Sequence, residues 1–143
     1  MRLIPDDLRA RLLANGANRE VDHVPVLKLF DPTGAATWLI TEMDPEEPDL
    51  LFGLCDLGMG FPELGSVSLA ELESVKGRLG LGIERDLDFV GRFPLSAYAE
   101  AARIAGHITE AEPLLARAAA ALSRTSGSPS PNPELPPTAD TKR

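Results

Sequence analysis

Glu63-Leu-Gly-Ser-Val-Ser-Leu-Ala-Glu-Leu-Glu-Ser-Val-Lys-Gly77, followed closely by Ile83-Glu-Arg-Asp-Leu-Asp-Phe89, is the part of the chain whose reading decides the fold. It reads as a strand, a capped helix, a glycine-rich loop and a further strand. Ser68 and Glu71 have the spacing of a capping box, and Val67 and Leu72 the spacing of a hydrophobic staple, so the strand-to-helix junction is specified twice. The pattern predicts a helix from Leu69 to Lys76, with Lys76 at the negative end of the dipole and Gly77 in the left-handed position that follows a helix. Leu69, Leu72 and Val75 form its apolar stripe, which leaves Glu71, Glu73 and Ser74 off that stripe.

Glycines at 77, 80 and 82 imitate a phosphate-binding loop. The dinucleotide fingerprint, however, follows a strand and opens a helix, and here the order is reversed, so a turn-rich connection is expected. In the last strand, alternation puts Ile83, Arg85, Leu87 and Phe89 on one face and Glu84, Asp86 and Asp88 on the other. Arg85 is the one charge on the apolar face. An unpaired buried guanidinium is prohibitively costly, which predicts an ion pair with Glu42, Glu63 or Glu73.

Working outward, residues 4–15 read as a first helix, with Pro5 at its first position, Asp6 and Asp7 at the positive end, Ile4, Leu8 and Leu12 as its stripe, Asn15 as a cap and Gly16 as the stop. Val24 to Phe30 is a strand, Asp31-Pro-Thr-Gly34 a turn, and Ala36 to Met43 the antiparallel partner, with Trp38, Ile40 and Glu42 expected on one face. Pro45-Glu-Glu-Pro48 closes a second hairpin. Leu50 to Leu57 and Phe61 to Val67 follow, joined by Gly58-Met-Gly60. Short strands with tight turns describe an antiparallel meander, since parallel strands would need crossover helices. A helix opening at Pro94 or Ser96 runs to Ile104 before Gly106, with Leu95, Tyr98 and Ala102 inward. An alanine-rich helix from Glu112 to Leu122 comes next, preceded by the capping-box spacing of Thr109 and Glu112. The expected fold is α+β: an antiparallel meander of four to five strands, packed with an N-terminal helix, a short capped central helix and one or two C-terminal helices. Residues 1–122 make one domain, and 123–143, with five prolines and scattered serines, read as a disordered tail.

At 143 residues with a 43% apolar fraction the chain is of ordinary globular composition. Its single cysteine, Cys55, excludes an intrachain disulfide, fits a reducing compartment and lies in an expected strand, as a buried inert thiol would. The first residues lack the apolar run of a signal peptide and no segment approaches membrane-spanning length, so a cytoplasmic protein without membrane contact is expected. The net charge of −8 is segregated: between Leu29 and Val75 there is no Lys, Arg or His, while ten acids fall there (Asp31, Glu42, Asp44, Glu46, Glu47, Asp49, Asp56, Glu63, Glu71 and Glu73). Phosphate contacts need Lys or Arg, which argues against direct nucleic-acid binding and permits a cation, a basic partner or a surface that imitates nucleic-acid charge.

Thr37-Trp-Leu-Ile-Thr-Glu-Met-Asp44, Leu51-Phe-Gly-Leu54, Glu63-Leu-Gly-Ser-Val-Ser-Leu-Ala-Glu-Leu-Glu73 and Gly80-Leu-Gly-Ile-Glu-Arg-Asp-Leu-Asp-Phe89, in that order, resemble the bacterial family known as domain of unknown function 2958. Pro94-Leu-Ser-Ala-Tyr-Ala-Glu-Ala-Ala-Arg-Ile-Ala-Gly-His-Ile-Thr-Glu110 fits its C-terminal part, and the likeness covers roughly residues 3–112. The chain departs from the family at Ser66-Val67, where an aromatic is usual. The resemblance implies a small cytoplasmic protein often carried on plasmids and integrative elements, and it supplies no catalytic residues.

His23 and His107 are too far from Cys55 and from any plausible serine to form a nucleophilic triad, and a Cys/His zinc site fails on count. The remaining candidates for binding are Trp38 with Glu42, and the acids Asp44, Glu63, Glu71, Glu73, Glu84 and Asp86 together with Arg85. The expected function is a non-enzymatic binding or accessory protein of mobile genetic elements that engages a basic protein partner, in its narrowest form as a nucleic-acid mimic. The alternative is a divalent-metal hydrolase in which the carboxylates hold the ion and Arg85 stabilises developing negative charge. No cofactor is implied, and the pattern specifies no oligomeric state.

Overall fold

The computed structural model describes residues 3–127. The N-terminal helix α1 (Asp6–Gly16) leads into β1 (Leu27–Phe30), β2 (Thr37–Met43), β3 (Leu50–Asp56) and β4 (Glu63–Ser68). The short helix α2 (Leu69–Ser74), a single 3-10 turn at Arg78–Gly80, β5 (Glu84–Arg85), α3 (Leu95–Ala105) and α4 (Glu112–Gly127) complete the chain. The strands form one antiparallel sheet in the order β4-β3-β2-β1-β5. This is the α+β meander expected, with the fifth strand added beside β1.

Alternation along the strands divides the interior into two cores. On one face Leu27, Leu29, Trp38, Ile40, Met43 and Leu51 pack with Leu3, Ile4, Leu12, Leu72 and Ile83. On the other, Leu39 and Leu54 pack with Leu95, Tyr98, Ala101 and Ala102 of α3 and with Leu115 and Ala118 of α4. The sheet is therefore the middle of three layers, with α1 on one side and the α3–α4 pair on the other. Trp38, expected as either core or ligand platform, is core and 6% exposed.

Pro5 lies just outside α1 as its N-cap rather than at the first helical position. Gly16 is required where α1 ends: a Cβ there would stand 1.9 Å from the Met43 carbonyl oxygen, so only glycine lets the helix lie against β2. Asn15 does not cap the helix. Its side chain donates to the Thr41 carbonyl at 2.9 Å and pins α1 to the middle of the sheet.

Ser68 accepts from the Glu71 amide at 3.2 Å, as the capping box predicts. The rest of the cap comes from Asp49, whose backbone oxygen accepts from Leu69 at 2.8 Å. Its carboxylate accepts from the Ala70 amide at 2.8 Å and the Ser68 hydroxyl at 2.6 Å. The helix stops at Ser74, two residues early, because Val75 turns to extended geometry. Val75 is exposed rather than part of the stripe, Lys76 lies beyond the helix, and positive φ falls on Leu79 and Gly80 instead of Gly77.

The strand expected over Ile83–Phe89 lasts two residues. The Asp86 carboxylate accepts from the Asp88 amide and the Asp86 carbonyl from Phe89, a side-chain-stabilised turn that ends the ladder. Ile83 is buried on the α1 side, whereas Phe89 packs on the opposite core and Leu87 is exposed. Tyr98 anchors the following segment, meeting the rings of Phe89 and Phe93 at 6.4 Å each and accepting from the Arg92 amide. The α3 helix ends at left-handed Gly106 as the sequence predicts. The α4 helix continues to Gly127, past the expected boundary at 122, and residues 128–143 of the expected tail lie outside the described residues.

Candidate functional site

Glu42 owes its position to an irregularity in β2. The β2–β3 register runs Leu39↔Leu54, Ile40↔Gly53, then Glu42↔Phe52, so Thr41 is an extra residue bulged out of the ladder. A bulge of this kind reverses which face the following side chains take. Trp38 and Ile40 face α1, whereas Glu42 emerges beside Phe52 on the α3 side. The expectation that Trp38, Ile40 and Glu42 share a face is corrected by that one residue, and Trp38 and Glu42 do not form a common platform.

Around Glu42 the sheet, the α1–β1 connection and the start of α3 leave a cleft of ≈ 240 Å³. Glu42, Thr41, Phe52 and Leu64 form its floor, Arg19, Val21, Asp22 and His23 one wall, and Leu95 and Ser96 the other. The walls are locked together: the Asp22 carboxylate accepts from the Ser96 amide at 3.2 Å and from its hydroxyl, the His23 carbonyl accepts from the Leu95 amide, and His23 Nε2 donates to the Asn18 carbonyl at 2.7 Å. Asp22 thus caps α3 from outside that helix.

The Glu42 side chain is only 12% exposed, and its ion pair with Arg19 Nε spans 3.6 Å, with the Arg19 side chain 71% exposed. That distance exceeds a charge-assisted hydrogen bond. Burial raises the Glu42 pKa above the ordinary glutamate value, Asp44 adds to the rise, and His23 and Arg19 oppose it only in part. A carboxylate held in a cleft with incomplete compensation is the arrangement expected of a recognition site.

Besides Glu42, five of the ten acids of the cation-free span lie toward this end of the sheet. Asp44, Glu46 and Glu47 occupy the β2–β3 turn, where the Asp44 carboxylate accepts from the Glu46 amide at 2.9 Å. Asp49 follows at the α2 cap and Glu71 stands exposed in the first turn of α2. The C-terminal end of α1 abuts Met43 and Pro45 and adds the negative pole of its dipole to the same end of the sheet. Among the described residues, Glu42 is the one acid of those ten that an ion pair joins to a cation.

The other expected site residues lie apart. Glu63 is on β4 and Glu84 on β5, at opposite edges of the sheet and about 19 Å apart across four strand spacings. Asp86 pairs with Lys28 at 3.6 Å. Arg85 has no carboxylate partner among the described residues; its Nε donates to the Leu3 carbonyl at 3.1 Å, and the Leu3 amide donates to Glu73 at 3.3 Å. Arg85 and Glu73 each bond a backbone group of Leu3, and among the described residues neither Glu42, Glu63 nor Glu73 pairs with Arg85. Cys55 lies in β3 with its thiol pKa raised by burial and by Glu63, which keeps it protonated. No group of three His, Cys, Asp or Glu side chains among the described residues is placed to hold a metal ion. No helix among them is long and apolar enough to cross a membrane.

Sequence reasoning missed Asp22, His23, Phe52 and Ser96 as lining of the cleft, because three separate segments meet there. It missed Asp49 as a cap because that side chain acts across 19 residues.

Fold and site together define a small three-layer α+β protein whose distinguishing polar features are one carboxylate cleft and an adjoining acidic end. Residues 3–109 match the family described as "Protein of unknown function (DUF2958)", and the chain belongs to that family. Comparison with curated proteins finds no match, and comparison with solved structures finds none.

Proposed function

We propose that the protein is a non-enzymatic binding protein that engages a basic protein partner through the acidic end formed by the β2–β3 turn, Asp49 and the start of α2. The observation that carries this reading is the folding of a cation-free span into one connected unit, β2 to α2, whose turn acids have no neutralising ion pair among the described residues. A surface of one charge sign steers an oppositely charged partner and raises its association rate. The setting that goes with this reading is the cytoplasm of a bacterium carrying a mobile element, which the family resemblance implies. Mimicry of a nucleic acid is its narrower form. The hydrolase alternative receives less support, since Glu63 and Glu84 stand at opposite edges and Arg85 is engaged by Leu3.

The test separates this patch from net charge. Asp44→Lys, Glu46→Lys and Glu47→Lys together should abolish binding to a short lysine-rich peptide followed by fluorescence anisotropy. The same number of reversals at Glu84, Asp88 and Glu112 should leave most of it. Equal losses from the two sets would show that overall charge, not this surface, attracts cations.

A further inference from the structure

We propose that the cleft at Glu42 receives an arginine side chain of the basic partner. The inference rests on the binding reading above and specifies how that partner is recognised.

Four features point to a guanidinium. The first is size: ≈ 240 Å³ lies below the roughly 300–1,000 Å³ of pockets that enclose cofactors or drug-sized ligands, yet leaves room for one side chain. The second is charge. Glu42 is nearly buried, and the cation the fold offers it, Arg19, stays 3.6 Å away and mostly in solvent. An incoming guanidinium can approach closer and bond both carboxylate oxygens at once. Third, Phe52 stands directly opposite Glu42 in the β2–β3 ladder, so a side chain reaching the carboxylate passes an aromatic ring, with Val21, Leu64 and Leu95 along its methylenes. Arginine is more weakly hydrated than lysine and stacks on such rings, so it loses less on entering. The fourth is continuity. Asp44 belongs to the acidic turn and acts electrostatically on Glu42, so a partner drawn to that turn is already at the mouth of the cleft.

The bulge at Thr41 supports the assignment. Without it, Thr41 would stand opposite Phe52 and Glu42 opposite Leu51, facing the core beside α1.

The experiment uses the full chain and two probes, a short lysine-rich peptide with one central arginine and the same peptide with lysine there. Affinities come from fluorescence anisotropy and the contact site from amide chemical shifts. The expected result is tighter binding of the arginine peptide, with shifts at Glu42, Phe52, His23 and Ser96. Glu42→Gln, checked by thermal melting to remain folded, should weaken that peptide about tenfold or more and leave the lysine peptide nearly unchanged. Reversal of the turn acids should weaken both peptides. If the two peptides bind alike and Glu42→Gln affects neither, while the turn reversals still weaken both, the cleft assignment fails and the acidic-end reading stands. If neither peptide binds the wild-type chain, both readings fail.

Discussion

Glu73 and Arg85 never meet, yet each holds one side of the same residue: the Leu3 amide donates to Glu73 at 3.3 Å and the Leu3 carbonyl accepts from Arg85 Nε at 3.1 Å. Two charges from segments on either side of the glycine loop thereby fasten the N-terminal segment over the core. Leu3 and Ile4 are each 3% exposed, so the peptide they share has little water to replace a lost partner.

Arg85→Ala leaves the Leu3 carbonyl unsatisfied and should destabilise the fold by about 1–2 kcal/mol. Glu73→Gln keeps an acceptor and should cost less than half of that. Urea unfolding of the two variants measures both. Equal stability of Arg85→Ala and wild type would show that the clamp contributes nothing.

Asp56 is buried and joins the two layers on its side of the sheet. It accepts from the Gly58 amide at 2.8 Å and from the Ile108 amide, in the α3–α4 connection, at 2.9 Å. Asp56→Ala strands both donors and should cost about 2–4 kcal/mol, and Asp56→Asn, which retains one acceptor oxygen, about half as much. Hydrogen exchange at Ile108 should accelerate in both variants. Protection unchanged from wild type would contradict the bridge.

The Asp49 carboxyl is held below its ordinary pKa by the Ser68 hydroxyl and then by the Ala70 amide. A depressed folded-state value means that its stabilising contribution is present above the unfolded pKa, about 3.9, and disappears as pH falls through the folded value. Asp49→Ala should therefore melt below wild type at neutral pH, and the gap should narrow as pH falls through the folded value. A gap that stays constant with pH would assign the effect to something other than this carboxylate.

Glu42 runs the opposite way. Its raised folded-state pKa gives stability that is fully present below the unfolded value and lost as pH rises through the folded one. Glu42→Gln removes that loss. The ion pair it breaks is long and its arginine stands mostly in solvent, so it contributes little. At pH 7 the variant should melt above wild type, with the advantage shrinking as pH falls toward the unfolded value, about 4.3. A lower melting temperature at neutral pH would mark Glu42 as a structural residue rather than one kept at the expense of stability.

The cap at Ser68, the glycine stop at 106, the hairpin turns and the order of strands and helices were all legible before any coordinates. So was the cation-free span that becomes the acidic end. Each depends on neighbours in the chain: a hydroxyl three residues before an amide, a glycine after an apolar stripe, a turn between alternating runs. The segregation of charge is a property of order along the chain and survives any folding of it.

The cleft was not legible, nor were the partners of Arg85, the source of the α2 cap or the sheet edge that takes β5. A bulge is chosen when two strands settle their packing, and inserting Thr41 costs the local sequence no visible signal while turning Glu42 to the other face. Asp22 and Ser96 meet across 74 residues, and Arg85 and Leu3 across 82, distances over which chain periodicity carries no information. Sequence alone determined which elements exist and how charge is distributed among them, because those follow from local geometry and residue order. Only the tertiary structure decided which carboxylate is buried and what surrounds it, because burial and long-range hydrogen bonds are settled when the layers close.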